Sequence, residues 1–343
     1  MQITTIGLDI AKHVFQLHAL NTEGEVMLRR RLRRGEVIPF FSALPPCVVG
    51  MEACSTAHHW ARDLMALGHD VRLMPPTYVK PYVKRGKNDA ADAEAICEAV
   101  QRPTMRFVPV KSAEQQSVLM LHRSRDLLIR QRTMLANAIR AQCAEFGIIA
   151  AQGIAKLHEL LGLIVDPAEQ RIPPLARDCL VVLARQLHDL QRHIGEIDRA
   201  IHAWHRANKT SRRLETIPGI GPITASALAA TVTDPSIFRS GRHLAAWLGL
   251  VPRQNSSGGK HRLGGISKQG DRYIRRLLIS GATAVLRHCK PNRSASAAWA
   301  TALLQRRPAK LVAVALANKT ARIVWAVLAR GETYRPALQP SAA

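Results

Sequence analysis

ITTIGLDIAKHVFQLHALNTEGEVMLRRRLRR, residues 3–34, decides the fold of the first third of the chain. Ile3 to Leu8 is a short apolar run, and Val14 to Leu20 follows after a tight turn. Glu25 to Arg33 makes a third run beyond the turn Asn21-Thr22-Glu23-Gly24. Connections this short join antiparallel strands, so the stretch predicts a three-stranded meander. A helix over about 35–44 comes next, then a strand ending in Cys47-Val48-Val49-Gly50-Met51-Glu52, then a helix from Ser55 to Gly68. Val71 to Met74 is a fifth strand stopped by Pro75-Pro76, and a helix covers about Asp89 to Gln101. Three meander strands followed by helix, strand, helix, strand and helix predict an RNase H-like mixed α/β domain over residues 1–110.

The period then changes. Leu180, Leu183, Leu187, Leu190, Ile194, Ile197, Ile201 and Trp204 step by three and four residues in strict alternation. That is an a/d seam of the coiled-coil kind. Met120-Leu121, Leu127-Leu128 and Met134-Leu135 recur every seven residues on an earlier helix. Residues 111–205 are accordingly expected to form a helical arm. Two long helices packed within one chain would explain the pattern, and so would a coiled-coil dimerisation arm, towards which a strict 3.5-residue period inclines. Residues 206–343 are predicted to be mostly helical with glycine punctuation. Asp271 is a plausible N-cap for a helix carrying Arg272, Arg275 and Arg276.

Composition narrows the class. The 343 residues carry 49 Lys and Arg against 25 Asp and Glu, a formal charge of +24, with 47% hydrophobic residues. A globular chain with that excess calls for an anionic partner, and nucleic-acid phosphate is the first candidate. Aromatics at 4% argue against base-stacking platforms. The six cysteines form no C-x-x-C pair and no leader-like stretch opens the sequence. A reduced cytoplasm is therefore the expected compartment, and a zinc finger is not expected. Leu311 to Leu328 is interrupted by Lys319 and Arg322 and reads as a buried amphipathic helix, not a membrane span. No phosphate-binding G-x-x-x-x-G-K-[ST] occurs, so no ATP is expected.

Four carboxylates stand out. Asp9 ends the first strand and Glu52 the fourth, while Asp89 and Asp92 share one face of the last helix of the domain. Each alone could be a cap or turn former. In the expected sheet they converge, and like charges gathered so closely call for cations, for which hard oxygen ligands suit Mg²⁺ or Mn²⁺. Two such ions can stabilise the attacking and leaving oxygens of phosphodiester transfer. Ser256-Ser257-Gly258-Gly259 lies in the stretch Arg253–Arg276, which carries Arg253, Lys260, Arg262, Lys268, Arg272, Arg275 and Arg276 against Asp271 alone. A serine on such a loop is either ordinary loop chemistry or a hydroxyl placed to meet a DNA phosphate. Lys84, Arg85 and Lys87, just ahead of Asp89, join the expected nucleic-acid contacts. Gly219 and Gly221 of Pro218-Gly219-Ile220-Gly221 form either a helix-hairpin-helix phosphate cradle or a tight packing turn. The run Arg29 to Arg34, five arginines in six residues, is either a protected sheet edge or a backbone contact.

Gly7-Leu8-Asp9-Ile10-Ala11-Lys12, Gly50-Met51-Glu52-Ala53 and Lys87-Asn88-Asp89-Ala90-Ala91-Asp92-Ala93 resemble the D-E-D-D signature of one transposase family. It is the insertion-sequence family IS one-ten, which also contains the Piv DNA invertases. Trp247-Leu248-Gly249-Leu250-Val251-Pro252 through Ser257-Gly258-Gly259 to Ile266-Ser267-Lys268-Gln269-Gly270 resembles that family's second domain, in the form of its IS eleven-eleven subgroup. The resemblance implies a RuvC-like nuclease domain, a coiled-coil arm and a serine-bearing transposase domain. It also implies a DNA recombinase guided by a bridge RNA, acting on the nucleoid as a dimer or a tetramer on DNA. By that resemblance Asp9, Glu52, Asp89 and Asp92 are metal ligands. Ser257, which directly precedes the glycine, is the nucleophile of a phosphoserine link to DNA. A metal-dependent, structure-selective nuclease without that link is the alternative, and a non-catalytic nucleic-acid-binding protein is a third.

Overall fold

In the computed structural model, which describes residues 2–84, 88–260, 262–288 and 295–335, the short connections of the N-terminal stretch do form a meander. Strands β1 (Thr5–Ile10), β2 (Val14–Leu20) and β3 (Val26–Arg33) pair antiparallel. The chain continues through α1 (Val37–Ser42), β4 (Val48–Glu52), α2 (Ala57–Ala66), β5 (Asp70–Met74), α3 (Pro76–Val79) and α4 (Asp89–Val100). The sheet order is β3-β2-β1-β4-β5, with β1 parallel to β4 and β4 parallel to β5. This is the mixed sheet expected, and it fits an RNase H-like domain. β1 begins and ends two residues later than the apolar run suggested. Pairing of Asp9 with Gln16 and of Ile10 with Phe15 carries the ladder past Asp9.

Strand alternation divides the two faces. Ile6, Leu8, Phe15, Leu17 and Leu32 pack with Phe41 of α1 and with Trp60 and Leu64 of α2 in a dry core. The opposite face carries Gly7 and Gly50, paired across β1 and β4, and α4 lies directly on them. A Cβ on Gly7 would fall 2.2 Å from the Ala93 carbonyl oxygen and 2.5 Å from the Cys97 nitrogen; one on Gly50 would fall 2.8 Å from Val100 Cβ. The two glycines let the helix sit against bare backbone. Asn88 caps it, its side chain accepting from the Ala91 N–H at 2.8 Å.

The remaining elements are α5 (Ala113–Ala144), α6 (Ile154–Val165), α7 (Pro174–Ala207), α8 (Lys209–Glu215), α9 (Pro222–Thr231), α10 (Gly241–Trp247), β6 (Pro252–Gln254), β7 (Leu263–Ile266), α11 (Arg272–His288), α12 (Ala295–Leu304) and α13 (Ala309–Arg330). The chain divides into two compact units, Met1–Gln116 and Ser117–Ala343. The helices of 117–205 thus belong with those of 206–343. His122 of α5 shows why: it is 1% exposed, with ring nitrogens 3.0 and 3.1 Å from the hydroxyls of Tyr273 in α11 and Ser226 in α9. Burial pushes that imidazole down to about 4, so it stays neutral in a network wired for the neutral ring.

Much of the α7 seam finds its partners within the chain, while Leu183, Ile197 and Trp204 stay half-buried. Leu180, Leu187, Leu190, Ile194 and Ile201 are buried within the single chain. Leu180 and Leu187 pack on Ala136, Ile139 and Cys143 of α5 and on Leu157, Leu160 and Ile164 of α6. A heptad stripe records a helical neighbour and does not say on which chain it lies. By contrast Met120, Leu127 and Met134, seven residues apart on α5, are 62%, 47% and 70% exposed. α13 is long and apolar enough to cross a membrane by composition. It instead buries Leu316, Ala321, Val324 and Val327 in the core shared with α10 and α11.

Candidate active site

Asp9 leaves β1 on the α4 side of the sheet, two residues beyond Gly7. Asp89 and Asp92 stand in the first turn of α4. Because α4 rests on Gly7, its N-terminus overhangs the end of β1, and one carboxylate oxygen from each of the three residues lies within 4.8 Å of the others. Burial first, then the charges of Asp92 and Asp89, push Asp9 up from 3.8 to about 6. Glu52, at the end of neighbouring β4, stands outside that tight group. It still feels it: burial, Asp9 and Asp92 all raise its carboxyl. The helix N-terminus offsets part of the repulsion. The donor set, all carboxylate oxygen and half-solvated, fits a hard divalent cation.

Gly7 and Gly50 carry no chemistry of their own, yet they set where the acids stand. Their signal was present as Gly-x-Asp at 7–9 and Gly-x-Glu at 50–52, a small residue at the same offset before each strand-end acid. Gly7→Ala is expected to displace α4 and its two aspartates. The cost is about 1–3 kcal/mol, read as a lowered Tm together with lost divalent-ion affinity. An unchanged affinity would show that α4 does not set the site.

Ser257 belongs to the other unit, on the hairpin of β6 and β7. Ser257 and Lys260 pair across Gly258 and Gly259, whose φ values are +54° and +76°. Two successive left-handed residues make a tight hairpin turn of the kind that demands Gly-Gly. The two serines differ. Ser256 Oγ accepts from the Arg262 N–H at 3.2 Å, whereas Ser257 is exposed and its hydroxyl has no partner among the described residues.

The base of this hairpin is a backbone clamp. A Cβ on Gly249 would fall 2.3 Å from the Gln269 carbonyl oxygen, and one on Gly270 2.0 Å from that of Trp247. Arg275 locks the two segments, its Nη1 donating to Leu248 O at 2.9 Å and to Gln269 O at 2.6 Å. Arg275 is 8% exposed, which corrects its expected role as a nucleic-acid contact. Arg276 is held by Asp126, and Lys84 by Glu94. Gly219 is a packing glycine: at φ +84° it lies so close to Gly281 of α11 that a Cβ there would meet the Gly281 carbonyl at 3.0 Å. Gly221 is exposed just ahead of α9. Arg253, Lys260, Arg262, Lys268 and Arg272 are exposed around the hairpin; Arg85 and Lys87 lie outside the described residues. Asp271 caps α11 as expected, accepting from the Tyr273 and Ile274 N–H groups. Arg275→Ala is expected to destabilise the fold by about 2 kcal/mol or more, since it orphans two carbonyls. Arg253→Ala should leave Tm unchanged and weaken DNA binding only. Thermal unfolding and a salt-titrated binding assay separate the two.

Comparison with known proteins finds two family matches, the first of which runs past the boundary between the two units. Residues 6–146 match the profile of the IS110 DEDD transposase domain, described as a transposase, and residues 211–298 match that of the IS116/IS110/IS902 transposase family. A probable family 20 transposase of Pseudomonas aeruginosa is 52% identical over 98% of this chain and 100% of its own length. The chain belongs to the IS110 family of transposases. Within that family the transposase for insertion sequence element IS1111A of Coxiella burnetii is 43% identical over 97% of this chain and 92% of its own. A pilin gene-inverting protein of Moraxella bovis is 26% identical over 66% of this chain and 62% of its own. The chain is thus a DNA transposase/recombinase, and its DEDD family points to divalent-metal use, for which Asp9, Asp89 and Asp92 form the matching acidic cluster.

Proposed function

We propose that this IS110-family transposase cuts and rejoins DNA through a phosphoserine link formed by Ser257, with Asp9, Glu52, Asp89 and Asp92 as the ligands of its divalent ions. The observation that carries the reading is the Asp9–Asp89–Asp92 cluster, three carboxylates within 4.8 Å of one another where central strand β1 ends beneath α4. Mg²⁺ or Mn²⁺ held there would neutralise phosphate charge and polarise the scissile phosphorus–oxygen bond. The protein's own part is separate. The Gly258-Gly259 turn presents a Ser257 hydroxyl that has no partner among the described residues, and Arg253, Lys260, Arg262, Lys268 and Arg272 on the same hairpin and its flanks are exposed. Those side chains position a phosphodiester over Ser257 Oγ. Attack by Oγ, which gives up its proton, forms the Oγ–P bond and breaks the P–O bond to deoxyribose, whose oxygen leaves as a protonated hydroxyl; the phosphodiester bond energy stays in the link, so that rejoining needs no ATP. A relative named for inverting a gene supports cut-and-rejoin chemistry.

A very basic, aromatic-poor chain suits backbone grip, with target choice delegated to a pairing bridge RNA. The exposed Met120, Leu127 and Met134 stripe supports pairing of two copies through α5, as a dimer or within a tetramer on DNA, in the bacterial cytoplasm. The test is to quench a recombination reaction in denaturant and look for DNA on the peptide that holds Ser257. An adduct there is expected. Cleavage without any adduct would replace this reading with that of a metal-dependent nuclease.

A further inference from the structure

The sheet sorts the arginine run. Arg30 stacks over Phe40, its guanidinium carbon 5.5 Å from the ring centre, and Arg34 over Trp60 at 5.0 Å. Both are thereby committed to the face covered by α1 and α2. Arg29 and Arg31 stand on the other face. In the ladder Arg31 pairs with Gln16 and Gln16 with Asp9, while Arg29 pairs with His18 and His18 with Gly7. The two arginines therefore share the face that carries Asp9. Both are exposed, and among the described residues neither forms a salt bridge. Between them and α4 opens a cleft of about 320 Å³ lined by Gln16, His18, Asn88 and Glu94. The Glu94 carboxylate is already engaged by the Lys84 ammonium.

Protection of an edge strand needs charge on the strand and is indifferent to which face carries it. Two exposed guanidinium groups on the face of an acidic cluster, with no salt bridge to either among the described residues, ask for a different account. The cluster repels any phosphate strand that approaches it, and nearby positive charge offsets that repulsion. The distances suit a nucleic-acid backbone. Arg31 Cα is two strand spacings, about 10 Å, from Asp9 Cα, and Arg29 lies about 7 Å further along β3. A DNA strand carries one charge per about 3.4 Å of its axis. We infer that Arg29 and Arg31 hold neighbouring phosphates of the DNA strand whose scissile phosphate sits at Asp9, Asp89 and Asp92, the strand crossing β1, β2 and β3 ahead of the α4 N-terminus. The inference rests on the acids being the DNA-cutting centre proposed above.

The test compares the full chain carrying Arg29→Ala with Arg31→Ala, the same pair changed to Lys, and Asp92→Asn. Binding of a single-stranded DNA oligonucleotide is titrated from about 50 to 200 mM salt, and recombination is followed at varied DNA concentration. The alanine pair is expected to raise the apparent KM for DNA about tenfold or more, with kcat little changed. It should also reduce the slope of log affinity on log salt by about 1.4, two contacts at roughly 0.7 each. The lysine pair, which keeps the charge, should restore most of both. An alanine pair with wild-type KM and slope, while Asp92→Asn is inactive, overturns the inference and leaves the acidic centre standing. Loss of slope together with an active Asp92→Asn overturns the placement of the arginines beside the cut phosphate, and the acidic centre with it. The same loss for an RNA oligonucleotide but not for DNA overturns the choice of strand.

Discussion

Asp92→Asn is expected to lower recombination by about 10³-fold or more while leaving the metal-free protein at least as stable as the wild type. Asp92 is the acid that acts on two others: its charge helps to raise both Asp9 and Glu52. Its amide analogue keeps the volume and the helix position but removes one anionic ligand and one source of repulsion. The pH dependence separates this from simple damage. Asp9 in the fold titrates at about 6, above its ordinary 3.8. A carboxyl raised in the folded state contributes stability that is fully present below the ordinary value and is lost as pH rises through the folded one. Without divalent ions the wild-type Tm should therefore fall between about pH 4 and pH 6 through this group. In Asp92→Asn the fall should be shallower, since Asp9 titrates lower once a negative neighbour is gone. Added Mg²⁺ should raise the wild-type Tm by mass action and raise that of the variant much less. Recombination at the wild-type rate in ordinary Mg²⁺ would remove Asp92 from the site.

The acids were legible because strand ends are poor places for a lone carboxylate after an apolar run, and Asp9 and Glu52 both occupy one. The meander was legible for a related reason, since turns of a few residues leave antiparallel pairing as the simple solution. What lay hidden depended on partners that sequence spacing does not name. Leu180 and Leu187 have the same period whether the neighbour is another chain or α5 and α6, and in the structure they pack on the latter. Arg275 and Arg272 look alike in a basic stretch, yet helix geometry turns Arg275 inward to two carbonyls and leaves Arg272 in solvent. Alternation along β3 likewise puts Arg30 over Phe40 on one face and Arg31 on the other, though both are exposed. The choice between Ser256 and Ser257 rested on motif position alone. In the structure the two differ in that Ser256 Oγ accepts the Arg262 N–H, a bond for which motif position gives no signal.

Ser257→Ala and Asp9→Ala, each inactive alone, are expected to restore adduct formation when mixed as assembled subunits. Asp9, Asp89 and Asp92 lie in the unit 1–116, and Ser257 lies in the unit 117–343, 165 residues after Asp92. A nucleophile and the groups that activate it must come within about 3–3.5 Å of a common phosphate geometry. When an enzyme must be assembled from two copies, a site shared between them ensures that an isolated chain carries no complete centre and cannot nick DNA. In a symmetric pair each copy would then offer its acids to its partner's serine. Within a mixed pair one shared site joins intact acids to an intact Ser257, and the other lacks both. Random mixing makes half the pairs mixed, so roughly a quarter of the wild-type number of sites should form adduct. Sites built within one chain give a different answer, because every chain in the mixture is then defective and the adduct stays at background. Ser256→Ala is the control, expected to keep the adduct since its hydroxyl only accepts the Arg262 N–H. Mixed assemblies verified on DNA that yield no adduct would place acids and serine in the same chain.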